Sequence, residues 1–236
     1  MLVLGIDTTG ERGSVGVLNE SQSLCEIDFS ATMKHGEKLV PAIDYAMQLA
    51  EADKGQIALI AVATGPGSFT GLRIGIAMAK GLAMALQIPI IGVPSMSVIA
   101  RMAKFWPGRV WNLLPDRRDW IYAQASQNGQ CVAETRVHLF KDWLVQFENN
   151  LDEKLLFIGP GAEIHREALE SIGGIVASSC LNKISAIEIA RLGFERWKAG
   201  GDTNISNIEP IYLQPLTADV ARPAKTTKTI PSARII

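Results

Sequence analysis

The sequence predicts an α/β fold in which helices pack on a mixed sheet, and three observations carry that expectation. From Met1 to Lys104, short apolar runs alternate with helical periods in the order βββαβαβα. The run Ala58–Ala63 is apolar throughout and ends in Thr64-Gly65-Pro66-Gly67, the pattern of a strand buried on both faces. The stretch Gly71–Leu86 carries only two charges, Arg73 and Lys80, so it reads as a helix covered on more than one side.

Taken in order, Met1–Ile6 is an apolar strand closed by Asp7-Thr8-Thr9-Gly10, and Ser14–Leu18 and Ser23–Phe29 are two further strands. A helix follows from about Leu39 to Ala52, with Pro41 expected in its first turn. Leu39, Ile43 and Met47 repeat at its buried face. Thr70 is placed to cap the helix Gly71–Leu86, because its hydroxyl can accept from amides that a first turn leaves unpaired. Gln87–Gly92 is a strand, and Pro94-Ser95 starts a helix reaching Lys104. Beyond it, Arg109–Leu114, Trp120–Ser126, Cys131–Val137 and Leu155–Ile158 read as strands, with Asn128-Gly129 as a hairpin turn. Lys141–Asn149 and Glu163–Ser171 read as helices, and Ser185 with Glu188 forms a capping box for a helix to Trp197. Pro210–Leu213 reads as a short strand. From Leu216 onward the chain is polar, with Arg222, Lys225, Lys228 and Arg234 opposed only by Asp219, and reads as a basic flexible tail. The expected organisation is a first lobe over 1–104, a second over 105–215 and a tail over 216–236.

With 236 residues the chain suffices for one large or two small domains. Hydrophobic residues at 47% and charged residues at 20% are ordinary for a folded soluble protein, and the net charge of -1 creates no field that demands nucleic acid or membrane. Cys25, Cys131 and Cys180 are scattered and odd in number, which suggests reduced thiols in a cytoplasmic protein. The chain opens directly as a strand, so no cleaved targeting segment is expected. The helix Gly71–Leu86 is judged too short and too charged to span a membrane.

The Gly65–Gly71 loop fits neither common phosphate fingerprint. A Walker A loop needs Gly-Lys-Ser/Thr after its spacer, and here Leu72-Arg73 follows Gly71. The dinucleotide pattern needs Gly-x-Gly-x-x-Gly, and Gly65, Gly67 and Gly71 leave one residue too many. Ser68 lacks the preceding spacer of a nucleophile elbow. The three histidines, His35, His138 and His165, stand at no metal-ligand spacing and read as solvent-facing; His35 is the one that could also meet an anion or a partner. Gly71, Gly75 and Ala79 recur every fourth residue, with Ala77, Gly81 and Ala85 as a second small row. Small rows admit close packing, either by the chain's own sheet and neighbouring helix or by another subunit.

The opening strand with its Asp7-Thr8-Thr9 turn and two antiparallel strands resembles the first phosphate loop of the actin-like and sugar-kinase superfamily. More specifically, Leu4-Gly5-Ile6-Asp7-Thr8-Thr9, His35-Gly36-Glu37-Lys38-Leu39-Val40-Pro41 and above all Gly65-Pro66-Gly67-Ser68-Phe69-Thr70-Gly71-Leu72-Arg73-Ile74-Gly75 are similar to the TsaB (YeaZ) family. Lys80–Ala83, Ile88-Pro89, Gly92–Ser95, Asp116-Arg117-Arg118 with Tyr122, and Pro210–Leu213 extend the likeness. It is dense over roughly the first hundred residues and sparse afterwards. The resemblance implies an actin-like ATPase (ASKHA, ribonuclease H-like) fold of two related lobes. It implies a cytoplasmic, non-catalytic subunit that pairs with its paralogue TsaD, and with TsaE, in modifying the tRNA adenosine next to the anticodon with a threonylcarbamoyl group.

On that basis the expected partner interface comprises Leu39, Ile43, Met47, Gly71, Arg73, Gly75, Met78, Ala79 and Leu82, and the same surface can form a homodimer when TsaD is absent. Asp7, Thr8, Thr9, Gly65, Gly67 and Ser68 are the possible nucleotide contacts. No cofactor, metal or membrane is expected, and tRNA is met through the complex. The competing reading is an ATPase or small-molecule kinase of the same superfamily, with Asp7, Thr9 and the Gly65–Gly67 loop around phosphates and Gly159-Pro160-Gly161 as an adenosine loop. A third possibility is that the basic tail itself touches tRNA.

Overall fold

A computed structural model describes residues 1–20, 22–30, 35–147 and 155–213. Its first sheet is built on β1 (Leu2–Asp7), β2 (Arg12–Asn19) and β3 (Gln22–Ser30), which pair antiparallel through short turns. Two parallel strands join on the other side of β1: β4 (Ile57–Gly65) and β5 (Ile90–Pro94), giving the order β3-β2-β1-β4-β5. Parallel pairing needs a long crossover, and the helices α1 (His35–Leu49) and α2 (Phe69–Leu86) supply it. Alternate residues of the buried strands serve opposite faces. Leu4, Ile6, Ile60 and Val62 meet α1 and α2, whereas Val3, Leu59, Ala61 and Ala63 pack on the other side.

The helix α3 (Ser95–Met102) leads to a second sheet. That sheet holds β6 (Arg109–Pro115), β7 (Trp120–Gln127), β8 (Gln130–Cys131) and β9 (Arg136–Leu139). After α4 (Phe140–Leu144) it adds β10 (Leu156–Ile158); after α5 (Pro160–Ile164) and α6 (Arg166–Ser171) it adds β11 (Ile175–Val176). The order is β11-β10-β6-β7-β8, with β9 also on β7. An aromatic cluster of Trp111, Phe140, Trp143, Phe147 and Phe157 fills one side of it with edge-to-face contacts.

The last helix, α7 (Ala186–Lys198), returns to the first sheet and packs on β1, β2, β4 and β5. Gly5 and Gly16 stand opposite each other in the β1–β2 register and form a notch for it. A Cβ at Gly5 would overlap the Ala186 carbonyl, and one at Gly16 would lie 2.7 Å from the Ile187 nitrogen. The Ser185 hydroxyl caps α7 by accepting from the Glu188 amide at 3.3 Å, as its spacing predicts, and also donates to Glu26 Oε1 at 2.7 Å.

Several local expectations are corrected. The helix α1 begins at His35, so Pro41 lies inside it and the carbonyl of Glu37 loses its helical donor. Ser68, not Thr70, caps α2, accepting from the Gly71 amide at 3.2 Å; the helix starts at Phe69 and holds Thr70 within its first turn. At 18 residues α2 is long and apolar enough to cross a membrane by length and composition alone, so the expectation that it is too short fails; in this fold its inner side lies on β4. The expected strand Cys131–Val137 is two short ones, β8 and β9. Glu163–Ser171 is broken at His165, which stacks on Phe140 with ring centroids 3.6 Å apart. Pro210–Leu213 is bonded to the sheet through the Ile211 N–H to the Thr64 carbonyl and, among the described residues, is not a strand. The end of the expected helix Lys141–Asn149 and the tail 216–236 lie outside the described residues.

Candidate functional site

The carboxyl ends of β1 and β4 meet, as strand ends do in open α/β sheets, and two loops pack there against each other. The first is Asp7-Thr8-Thr9 and the second Gly65-Pro66-Gly67-Ser68. All three residues of the first loop are buried. Asp7 Oδ1 accepts from the Thr9 amide at 3.1 Å and from the Thr9 hydroxyl at 2.7 Å. The Thr8 hydroxyl donates to the Gly71 carbonyl at 2.8 Å, and the Ser68 amide donates to the Thr9 carbonyl at 2.7 Å. A Cβ at Gly71 would overlap the Thr8 carbonyl, and one at Gly75 would overlap the Thr8 hydroxyl. The first loop is therefore seated on the start of α2, and Gly71 and Gly75 exist to admit it. Burial pushes the Asp7 carboxyl up to about 7, against the hydrogen bonds from Thr9 that pull it down.

The sequence grouped Asp7, Thr8, Thr9, Gly65, Gly67 and Ser68, and the fold brings them together. Their polar groups are turned on one another and on the first turn of α2: the Thr9 hydroxyl and the Ser68 amide have partners inside the pair of loops, and the Thr8 hydroxyl bonds the Gly71 carbonyl. Gly65, at φ +102°, and Pro66 line a cleft of about 410 Å³ with Ser97, Gln124, Glu134 and Leu213. A larger open cleft, about 890 Å³, lies between α3 and α7 and is lined by paired charges such as Arg101–Glu195.

The nine residues expected at a partner interface divide in two. Leu39, Ile43, Met47, Gly71, Gly75 and Ala79 are buried among the chain's own side chains, while Met78 and Leu82 are half-buried and Arg73 is exposed. On α1 the stripe Leu39, Ile43 and Met47 is buried, as its period predicts, and what covers it here is the chain's own core. What α1 and α2 present to solvent is Val40, Tyr45 and Leu49 on the first helix, and Ala77, Gly81, Met84 and Ala85 on the second. Tyr45, Leu49 and Met84 are 55%, 52% and 68% exposed. Among the described residues, nothing lies within 4 Å of the place a Cβ at Gly81 would take, so none of their packing requires a glycine there.

His35 is buried, contrary to its reading as a solvent-facing turn residue. Burial lowers its basicity, and the carbonyls of Gly10 and Arg12 oppose that. Sequence reasoning did not pair Phe69 and Arg73 with Tyr212. The Arg73 guanidinium lies 3.8 Å over the Phe69 ring, its Nε donates to the Tyr212 hydroxyl at 3.0 Å, and the two rings are 5.2 Å apart. Nothing in the local pattern signals a pairing across 139 positions.

Comparison with known proteins now bears on this geometry. Residues 29–194 match the family described as tRNA N6-adenosine threonylcarbamoyltransferase, TsaD. The chain is 29% identical over 222 residues to the tRNA threonylcarbamoyladenosine biosynthesis protein TsaB of Bacillus subtilis, covering 91% of this chain and 94% of that one. The chain belongs to this family, in its TsaB (YeaZ) branch. The TsaB protein of Escherichia coli is 25% identical over 220 residues, covering 91% and 95%. YeaZ from Pseudomonas aeruginosa superposes with a TM-score of 0.70 at 24% identity, over 90% of this chain and 99% of that one. The fold is the two-lobed actin-like ATPase fold with mixed sheets. The TsaB family is tied to the biosynthesis of threonylcarbamoyladenosine in tRNA.

Proposed function

We propose that the chain is a non-catalytic subunit of the assembly that places threonylcarbamoyl on the tRNA adenosine beside the anticodon, and that it works by pairing with its paralogue TsaD, with TsaE as a further component. The observation that carries this reading is the outward face of α1 and α2. Tyr45, Leu49 and Met84 are large apolar groups open to solvent, and Gly81 holds an empty place in mid-helix. A glycine there costs about 1 kcal/mol relative to alanine. Nothing among the described residues accounts for that cost, whereas a partner backbone approaching the helix does. The family match covers both helices, so TsaD carries their counterparts, and two related chains can meet through equivalent surfaces about an approximate two-fold axis. A second copy of this chain can meet the same face when TsaD is absent.

The reading also explains the loops at Asp7. Threonine hydroxyls that cradled a phosphate would need to point at it, and here they bind Asp7 and the Gly71 carbonyl instead. That favours the subunit over the ATPase or kinase alternative, which predicts measurable heat on titrating the chain with ATP and Mg²⁺.

The test is Gly81→Arg. The site has room, so the variant should keep its circular dichroism and melting temperature. It should fail to co-purify with TsaD and lose the modified nucleoside from tRNA in cells that depend on it. A folded Gly81→Arg variant that still assembles with TsaD would remove the proposed interface.

A further inference from the structure

The cleft of about 410 Å³ has two chemically unlike walls. It is lined by Gly65 and Pro66 at the end of β4, by Met96 and Ser97 in α3, and by Gln124 and Glu134 from the side of the second sheet. Its size is usual for a small-molecule site, and it opens where the parallel strands β4 and β5 end, the place at which open α/β sheets take ligands. It shares no residue with the outward faces of α1 and α2. On the wall from the second sheet, acceptors wait for donors. Gln124 in β7 is only 9% exposed, and its Nε2 donates to the Ala133 carbonyl at 3.0 Å. That bond fixes the carboxamide, since a flipped amide would set oxygen against oxygen. Its Oε1 is left with no partner among the described residues, although buried acceptors are seldom unfilled. Asn112 stands opposite Gln124 in the β6–β7 register, but the Asn112 Nδ2 is unpartnered too, so the two amides do not satisfy each other. One position beyond Ala133, Glu134 is exposed and forms no ion pair among the described residues. On the other wall, donors wait for an acceptor. Pro94 caps α3 without a side-chain hydrogen bond, so the Met96 and Ser97 amides in its first turn have no side-chain partner. Ser95 beside them is fully buried with its hydroxyl unpartnered. A helix start of this kind favours an anion. Between the two walls, Pro66, Met96 and Ile211 are apolar, and among the described residues no lysine or arginine lines the cleft.

We propose that this cleft binds a free α-amino acid with an apolar side chain. Its ammonium group donates to Gln124 Oε1 and pairs with Glu134, its carboxylate accepts from the Met96 and Ser97 amides, and its side chain lies along Pro66 and Ile211. A zwitterion answers both walls, whereas a simple amine or a simple carboxylate answers one.

The experiment titrates the full-length chain with L-leucine, L-methionine and L-valine in a calorimeter. At least one should bind with a Kd below about 1 mM. For that amino acid, the carboxamide and the N-acetyl derivative should each bind at least about tenfold more weakly, because each lacks one of the two charged ends. Glu134→Gln, at an exposed position, should weaken binding about tenfold with an unchanged melting temperature. Gln124→Met, which keeps the length of the side chain and removes the acceptor, should weaken it as much; if that buried change unfolds the chain, Glu134→Gln and the two derivatives still decide. Absence of binding by all three amino acids overturns the proposal. So does a carboxamide or N-acetyl derivative that binds as tightly as its parent, or an affinity unchanged in Glu134→Gln, which would put the ligand elsewhere. Association with TsaD enters none of these measurements, so the amino-acid site and the subunit role fail separately.

Discussion

Replacing Asp7 by asparagine isolates what it costs this fold to ionise a carboxyl group that it buries. The ordinary value for the group is 3.8, and burial raises it to about 7 in the folded chain. The folded state therefore holds a proton that the unfolded state has released, and stability falls as pH rises from about 4 to about 7. The penalty is absent below the unfolded value and complete above the folded one. From these two values it is about 2 kcal/mol at pH 5 and about 4 kcal/mol at pH 8. Asparagine cannot ionise, and its carboxamide oxygen can accept from both Thr9 groups as Asp7 Oδ1 does. Any fixed cost of the carboxamide is the same at both pH values and cancels. Chemical denaturation of the two proteins at pH 5 and pH 8 should show the stability difference, asparagine minus aspartate, growing by about 2–3 kcal/mol toward pH 8. A difference that stays constant, or shrinks, would refute a protonated Asp7 in the folded chain. It would mean that the threonine bonds outweigh burial.

Three further outcomes follow from the packing. Gly81→Ala should stabilise the isolated chain by about 0.5–1 kcal/mol, seen as a raised melting temperature, because the site is open and the gain in helix propensity is unopposed. Gly71→Ala should do the opposite and cost more than about 2 kcal/mol or prevent folding, because its Cβ would strike the Thr8 backbone, which cannot give way. Ser68→Ala should cost about 1 kcal/mol in denaturant unfolding by leaving the Gly71 amide without its cap, while Thr70→Ala changes little.

Much of the fold was readable from local pattern. The apolar run Ala58–Ala63 and the Asp7 turn marked their strands, and the two parallel crossovers followed from the helical periods between them. The capping residue of α7 was visible because Ser185 and Glu188 are neighbours in sequence. The family signature lay in one continuous stretch, Gly65–Gly75, in which Gly67, Gly71 and Gly75 are demanded by contacts with Thr8 and Thr9 and Gly65 by its positive φ. The boundaries that failed did so where tertiary contacts override propensity. Pro41 was expected to start α1, but burial of His35 against the Gly10–Arg12 segment extends the helix before it.

The sequence by itself determined the α/β class and the family, because each depends on residues close together along the chain. Only the tertiary structure decided which stripe of α2 faces inward. On a helix apolar almost all round, spacing does not choose a face, and Gly75 and Ala79 took the inside while Gly81 and Met84 took the outside. The return of α7 to the first sheet, and the clamp of Tyr212 on Arg73, join positions more than a hundred residues apart, and no local pattern encodes such a meeting.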